Sequence, residues 1–274
     1  MDQSLQNPYA TLAQVTLLCL MQRASDRIQF LLWSQDLNHK IPQHNRFKGV
    51  MDCFTRIPRE EGSMAYFRGL RAVLFQIPLT LPMGALLPRE GDNLEMKVKA
   101  ISVLYYPLVL HPAEVIWVKM TTDYGKPAAR LYPGIMKTSQ FIFQAEGLRG
   151  FYRGAIPFTI MEFLSKVVIE RENSMISMAQ QYKNGNWNSI DLGIRFSIFC
   201  LIQSVLRLPI CVIGSRMIIE PYHLYQKHHS MIENIKMVKN KFGIRGFFLG
   251  FSLESVNWVY DFWRVQNKIN SNSF

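Results

Sequence analysis

Apolar positions along the chain gather into six long stretches, at 9–35, 69–88, 99–123, 154–176, 192–219 and 250–265. Within each successive pair a shorter segment intervenes, at 47–61, 132–146 and 230–242, with apolar residues at helical spacing. Val50, Phe54 and Ile57 predict one apolar face in the first, and Ile135, Phe141 and Phe143 one in the second. Helices of that kind suit a membrane surface. The polar stretches 36–46, 124–131, 177–191 and 220–229 predict loops, with turn signals at Gly125-Lys126-Pro127 and Asn184-Gly185-Asn186.

None of the six stretches runs for the roughly 20 unbroken apolar residues of a simple spanning helix. Gln22, Asp26, Glu114, Glu162, Lys166, Arg195 and Arg207 interrupt them. In a membrane bundle around an aqueous interior, such residues can face inward. The alternative is a soluble all-α protein with buried helices, which leaves the internal repeat described next without a purpose.

Three times the chain repeats one punctuation. Glu61-Gly62 leads to Phe67-Arg68-Gly69, Glu146-Gly147 leads to Tyr152-Arg153-Gly154, and Phe242-Gly243 leads to Phe248-Leu249-Gly250. Upstream landmarks keep step: Phe47-Lys48-Gly49 stands before the first, Tyr132-Pro133-Gly134 before the second. Pro112 and Pro209 hold matching places in the second and third copies, and Ala24 lies near that place in the first. The repeats predicted are 1–98, 99–191 and 192–274.

Composition sharpens this picture in two ways. Of the 274 residues 49% are hydrophobic and only 19% charged, where a soluble domain carries about 25% charged residues. The net charge of +11 suits an anionic partner, and because the Lys and Arg lie between apolar segments, lipid headgroups are favoured over nucleic acid. Cys19, Cys53, Cys200 and Cys211 form no CxxC pair, and His228-His229 sits in a polar loop, so no disulfide framework or metal site is expected. The start, Met1-Asp2-Gln3-Ser4-Leu5-Gln6, has neither a basic stretch before an apolar run nor an Arg-rich amphipathic one, so targeting information is expected within the chain. There is no Walker loop, Rossmann glycine run or nucleophile elbow, and no enzyme is expected.

Three repeats of this kind resemble the mitochondrial carrier family, and the ADP/ATP carriers in particular. The resemblance rests on Phe47-Lys48-Gly49-Val50-Met51-Asp52-Cys53-Phe54 with Arg56-Ile57-Pro58, and on the run from Asp26-Arg27 through Leu31-Leu32 to Gln35. Tyr106-Pro107-Leu108, Lys119-Met120-Thr121-Thr122-Asp123 and Arg216-Met217-Ile218-Ile219 are similar to the later repeats of those carriers. The resemblance implies an all-α fold of six transmembrane helices in pseudo-threefold array, with short amphipathic surface helices. It implies the mitochondrial inner membrane, multi-pass, and no cofactor other than structural cardiolipin held between repeats. Matching positions for the lipid are Gly62, Arg68 and Gly69; Gly147, Arg153 and Gly154; and Gly243 and Gly250, where free N–H groups at helix N-termini attract phosphate. In the third copy Leu249 replaces the base.

The family closes its matrix side with salt bridges between an acid and a base supplied by each odd helix. Here the acid positions hold Asp26, Glu114 and Cys211, and the base positions hold Gln29, Trp117 and Gly214. The implied ring therefore has no cation. Asp26 and Glu114 are left for a partner from elsewhere, with Lys119 or Arg216 as candidates. The opposite gate finds a fit only at Tyr260-Asp261-Phe262-Trp263-Arg264, so close to Gly250 that the sixth helix is expected to be short or displaced; Leu86–Gly91 and Ile169–Ser174 give no match. Positions where ADP/ATP carriers bind phosphate hold Cys19, Phe75 and Ser215. Two readings follow. One is a carrier-fold protein that does not transport and serves as an accessory subunit of a larger inner-membrane assembly, such as a respiratory-chain complex, in contact with other subunits. The other is a divergent active carrier of a nucleotide-like or other anion.

Overall fold

The computed structural model describes residues 8–38, 40–86, 105–164, 189–220, 229–254 and 258. Among these the chain is helical and has no strand. The motif at 260–264, residues 169–174 and residues 87–91 lie outside the described residues.

The order is α1 (Pro8–Ser34), α2 (Val50–Glu61), α3 (Leu70–Leu86), α4 (His111–Thr122), α5 (Ile135–Glu146), α6 (155–164), α7 (Ser189–Ile219) and α8 (Met231–Phe242). A π-helical turn, Tyr106–Leu110, leads into α4. Its cause is local. Pro112 has no N–H to give the preceding turn, so the ladder must adjust there. The Leu108 carbonyl accepts instead from the Tyr152 hydroxyl at 3.3 Å. His111 is buried beside it, with Nε2 2.8 Å from the Arg153 carbonyl.

The helices α1, α4 and α7 each touch the other two to a similar extent and form the centre. By length and composition one stretch among the described residues, Ser197–Ile219, is long and apolar enough to cross a membrane. The cores follow the same plan. Val115, Val118, Leu208, Val212 and Ile218 fill the α4–α7 contact, while Ile28, Leu31, Leu32, Cys53 and Ile57 join α1 to α2.

The helices α2, α5 and α8 are each twelve residues long. Each ends on a glycine with positive φ (Gly62, Gly147, Gly243), followed by a 3-10 turn and a second such glycine (Gly69, Gly154, Gly250). Only α8 has a side-chain cap: Ser230 and Glu233 form a reciprocal capping box.

The apolar residues of these helices divide between two faces. Cys53 and Ile57 are buried in α2, and Thr138 and Ile142 in α5. Phe54 and Phe143, placed by the spacing on an apolar face, are 45% and 57% exposed. Each helix carries two adjacent apolar sectors, and spacing alone does not say which one meets the core.

Burial, with the Asp52 carboxylate as the next cause, pushes the Cys53 thiol up to about 12. A thiol so protected is expected to resist maleimide near neutral pH in the folded protein and to react on unfolding. Site-resolved mass spectrometry before and after denaturation checks this; ready labelling of Cys53 in the folded state would remove α2 from its assigned packing.

Candidate functional site

The candidate site is the set of three seams where one repeat meets the next. At each, an acid just past the end of a central helix is held by two bases. At the first seam Arg68 donates to the Asp123 carbonyl and, at 2.9 Å, to its carboxylate. Lys40 reaches the same carboxylate at 2.6 Å, and the Tyr132 N–H donates to it at 2.8 Å. At the second, Arg153 donates to the Glu220 carbonyl and carboxylate, both at 3.0 Å, and His229 lies against the other carboxylate oxygen.

At the third seam Leu249 stands where Arg68 and Arg153 stand, and the cation comes from another element. Arg216 of α7 grips Asp36 with two bonds of 2.7 and 2.9 Å and donates to the Trp33 carbonyl at 2.8 Å. Lys241 adds a contact at 3.0 Å, and the Trp33 indole N–H donates to the Leu249 carbonyl at 2.7 Å. The sequence supplies the reason for the exchange. In the first two repeats the residue before the capping glycine is an acid, and it is held within the repeat: Arg27 pairs with Glu61 at 2.7 Å, and Lys119 lies 3.6 Å from Glu146. In the third that residue is Phe242, so Arg216 has no acid there and turns across the seam.

The arginine–acid pairs are dry, while Lys241 and His229 keep part of their surface in solvent. The Arg216 and Asp36 side chains are 1% and 2% exposed. Burial pushes Arg68 down to about 10, against the opposing pull of Asp123, and burial also lowers Arg153. Burial would raise the Asp36 carboxyl, but the hydrogen bonds and charges of Arg216 and Lys241 outweigh it and hold it below its ordinary value.

The family's gate positions lie on these same seams, filled with packing. The Trp117 ring meets Phe30 edge-on at 5.1 Å, with the Arg23 guanidinium 5.0 Å above it. Gly69, at φ +85°, lies against Trp117 and Thr121 with no room for a Cβ. Gly214 admits Phe158, and a Cβ on Gly154 would come within 2.9 Å of the Gly214 carbonyl. Gln29 donates to Glu254 at 3.2 Å beside Gly250. Cys211 is buried against Met161.

The two remaining acids are not stranded, and the partners expected for them are wrong. Asp26 pairs with Arg23 at 3.1 Å, and Gln76 donates to Glu114 at 3.0 Å. Lys119 and Arg216 are committed to Glu146 and Asp36. The i,i+3 spacing of Arg23 and Asp26 was a signal available in the sequence. Of the altered phosphate positions, Phe75 is 47% exposed, Ser215 is fully buried, and the Cys19 side chain lies outside those described.

The positions matched to lipid divide. Arg68 and Arg153 aim at Asp123 and Glu220. A cavity of about 330 Å³ nevertheless opens at the first seam, between Arg68-Gly69-Leu70 and Tyr132-Pro133. Its walls include Arg71 and Arg130, neither singled out by the sequence, and the Arg130 Nε is buried without a hydrogen bond. Gly147 and Gly154, and Gly243 and Gly250, repeat the backbone conformation of Gly62 and Gly69.

Asp36→Asn is expected to cost about 3–5 kcal/mol near neutral pH, because it strands Arg216 in a dry seam. The folded carboxyl titrates below the unfolded one, so its stabilisation is complete above the ordinary carboxylate range and is lost as pH falls through the folded value. Denaturation of both proteins in mild detergent, from about pH 7 to about pH 3, should show the gap closing at the acid end. A gap that persists there would mean the variant acts through some other contact.

Comparison with known proteins points to carriers. The family model described as mitochondrial carrier protein matches residues 100–169. ADP/ATP translocase 4 of Mus musculus is 26% identical over 147 residues, covering 47% of this chain and 46% of that protein. A mitochondrial substrate carrier family protein of Dictyostelium discoideum is 23% identical over 158 residues, 47% of each. ADP/ATP translocase 2 of Tachyglossus aculeatus aculeatus is 23% identical over 156 residues, covering 47% of this chain and 49% of that protein. The chain spans about half the length of the curated relatives it matches. The matches therefore run to proteins described as mitochondrial carriers and ADP/ATP translocases, at low identity and over about half of the chain.

Proposed function

We propose that this protein has the carrier plan of six membrane spans in three repeats, 1–98, 99–191 and 192–274, in the mitochondrial inner membrane. It does not transport. It serves as a fixed accessory subunit of a larger inner-membrane assembly, such as a respiratory-chain complex, with cardiolipin between its repeats. The observation that carries this reading is the content of the gate positions. A gate must form and break at modest cost. Gln29, Trp117 and Gly214 offer no cation for one, and Trp117 and Gly214 are closed by ring packing against Phe30 and Phe158. Such contacts are lost only by opening a void in the seam. Arg71 and Arg130 at the first-seam cavity are the side chains that would meet a lipid phosphate.

A second reading, an active carrier of an anion, is favoured by the charged set Arg23, Asp26, Arg207 and Glu254 among the central helices; Arg207 lies 3.9 Å from Glu254. The two separate by experiment. The purified protein in liposomes should show no saturable flux of adenine nucleotides or other anions. In a mild-detergent membrane extract it should run wholly with a particle much larger than its own 31.9 kDa. Saturable flux, or a free monomer in the extract, would overturn the accessory reading. A solute that stabilises the protein thermally, with the effect lost in Arg207→Ala, would establish the carrier in its place.

A further inference from the structure

Each of the three seams adds a second base to its arginine. The arginine side chains Arg68, Arg153 and Arg216 are withdrawn, at 8%, 8% and 1% exposed. The second bases Lys40, His229 and Lys241 stand at the wet rim, at 16%, 29% and 41%. A lysine ammonium keeps its charge across the neutral range, whereas an imidazole gains or loses its charge between about pH 5 and pH 8. Of these three rim positions, the second seam alone has the imidazole.

The ring is held where it can act. Its Nδ1 lies against one carboxylate oxygen of Glu220, and the His229 N–H donates to the other at 3.1 Å. The His229 carbonyl accepts from the buried Asn234 side chain of α8 at 3.4 Å. The next residue, Ser230, is the N-cap of α8, so the imidazole is fixed at the start of that helix. Among the described residues, the charged groups around it come from three other elements. Glu220 stands at the end of α7. Arg153, after α5, is divided between Glu220 at 3.0 Å and Glu146 at 3.5 Å. Lys119 of α4 meets the other oxygen of Glu146 at 3.6 Å. On its own helix, the N-terminus disfavours a cation and Glu233 in the first turn offsets that. Glu220 thus has only a share of one guanidinium, and the rim base supplies the rest of its compensation.

We propose that His229 is a proton-binding site that latches the second repeat to the third, tight when the ring is protonated and slack when it is not. An imidazolium meets the Glu220 carboxylate with a charge and a hydrogen bond. The neutral ring, with its hydrogen on Nδ1, keeps the hydrogen bond alone. The Glu220 side chain is 1% exposed, so solvent does not make good the charge that is lost. The stabilisation is therefore present at the acid end of the neutral range and falls away as pH rises through it. With Lys40 and Lys241 in the matching places, the first and third seams have no such switch. A change of pH thus loosens one seam of three. The inference goes beyond the accessory role and holds whether or not the protein transports.

Hydrogen–deuterium exchange of the full chain in mild detergent, at about pH 6 and about pH 8 and corrected for the intrinsic rate, reads the seam directly. At the higher pH the unvaried protein should lose protection at residues 150–156 and 229–235 by at least about twofold, while residues 239–247 at the third seam hold steady. His229→Lys should keep the acid-side protection at both pH values, and His229→Gln should show the weaker protection at both. No change in the unvaried protein, or a gain of protection as pH rises, would overturn the latch without any variant having to fold. A pH response that persists in His229→Lys would also overturn it, as would one abolished by His228→Gln, which would assign the proton to the neighbouring ring. Equal loosening at the third seam would mean that the whole bundle responds, and the proposal would fail.

Discussion

The acid at the end of each central helix is the constraint on which the rest of the structure depends. Asp36, Asp123 and Glu220 each stand where one repeat ends its long helix and another repeat must dock. A carboxylate in that place has left most of its water behind, and an arginine or lysine from the neighbouring repeat is what compensates its charge. Each acid therefore works as an obligation that one repeat meets for the next. The close glycine approaches at Gly69 and Gly154, and the rings of Trp117 and Phe158 that fill the seams, depend on the same docking.

Within this scheme the third repeat has diverged without losing its tie. Loss of the base at Leu249 and of the acid at Phe242 would each leave a buried charge alone. Together they cancel, because the cation freed by one change satisfies the acid freed by the other. The exchange alters the mechanics of the seam. A base on the loop after a capping glycine joins a surface element to a central helix. Arg216 joins two central helices directly, and Trp33 adds a bond to the Leu249 backbone.

Much of the helical plan was legible in the sequence, because it is written in local signals. The glycine pairs from Gly62 to Gly250 need positive φ and mark the ends of the short helices wherever they occur. The missing cations at Gln29, Trp117 and Gly214 were plain from residue type. The partners that replaced them were not. Arg216 and Asp36 lie 180 residues apart, and nothing in the neighbourhood of either names the other. Arg68 and Arg153 were matched to lipid because their motif places them at helix starts, yet internal carboxylates hold both. Arg71 and Arg130 went unnoticed because only the fold brings them to one cavity. Phe54 shares its apolar face with Ile57 in the sequence, yet one is exposed and the other buried, because a helix with two apolar sectors gives the same periodicity as a helix with one broad sector.

The bond between Arg216 and Asp36 also has a consequence for the order in which the protein is made. A ribosome releases residue 36 long before residue 216, 180 positions later, and the stretch between them holds most of the first two repeats. Until α7 emerges, Asp36 has neither of its bases, since Lys241 comes later still. The first repeat must wait with an uncompensated carboxylate at its rim, kept wet and open. Closure of this seam is thus a late, long-range event in synthesis, and a chain that stops before α7 leaves Asp36 without either base.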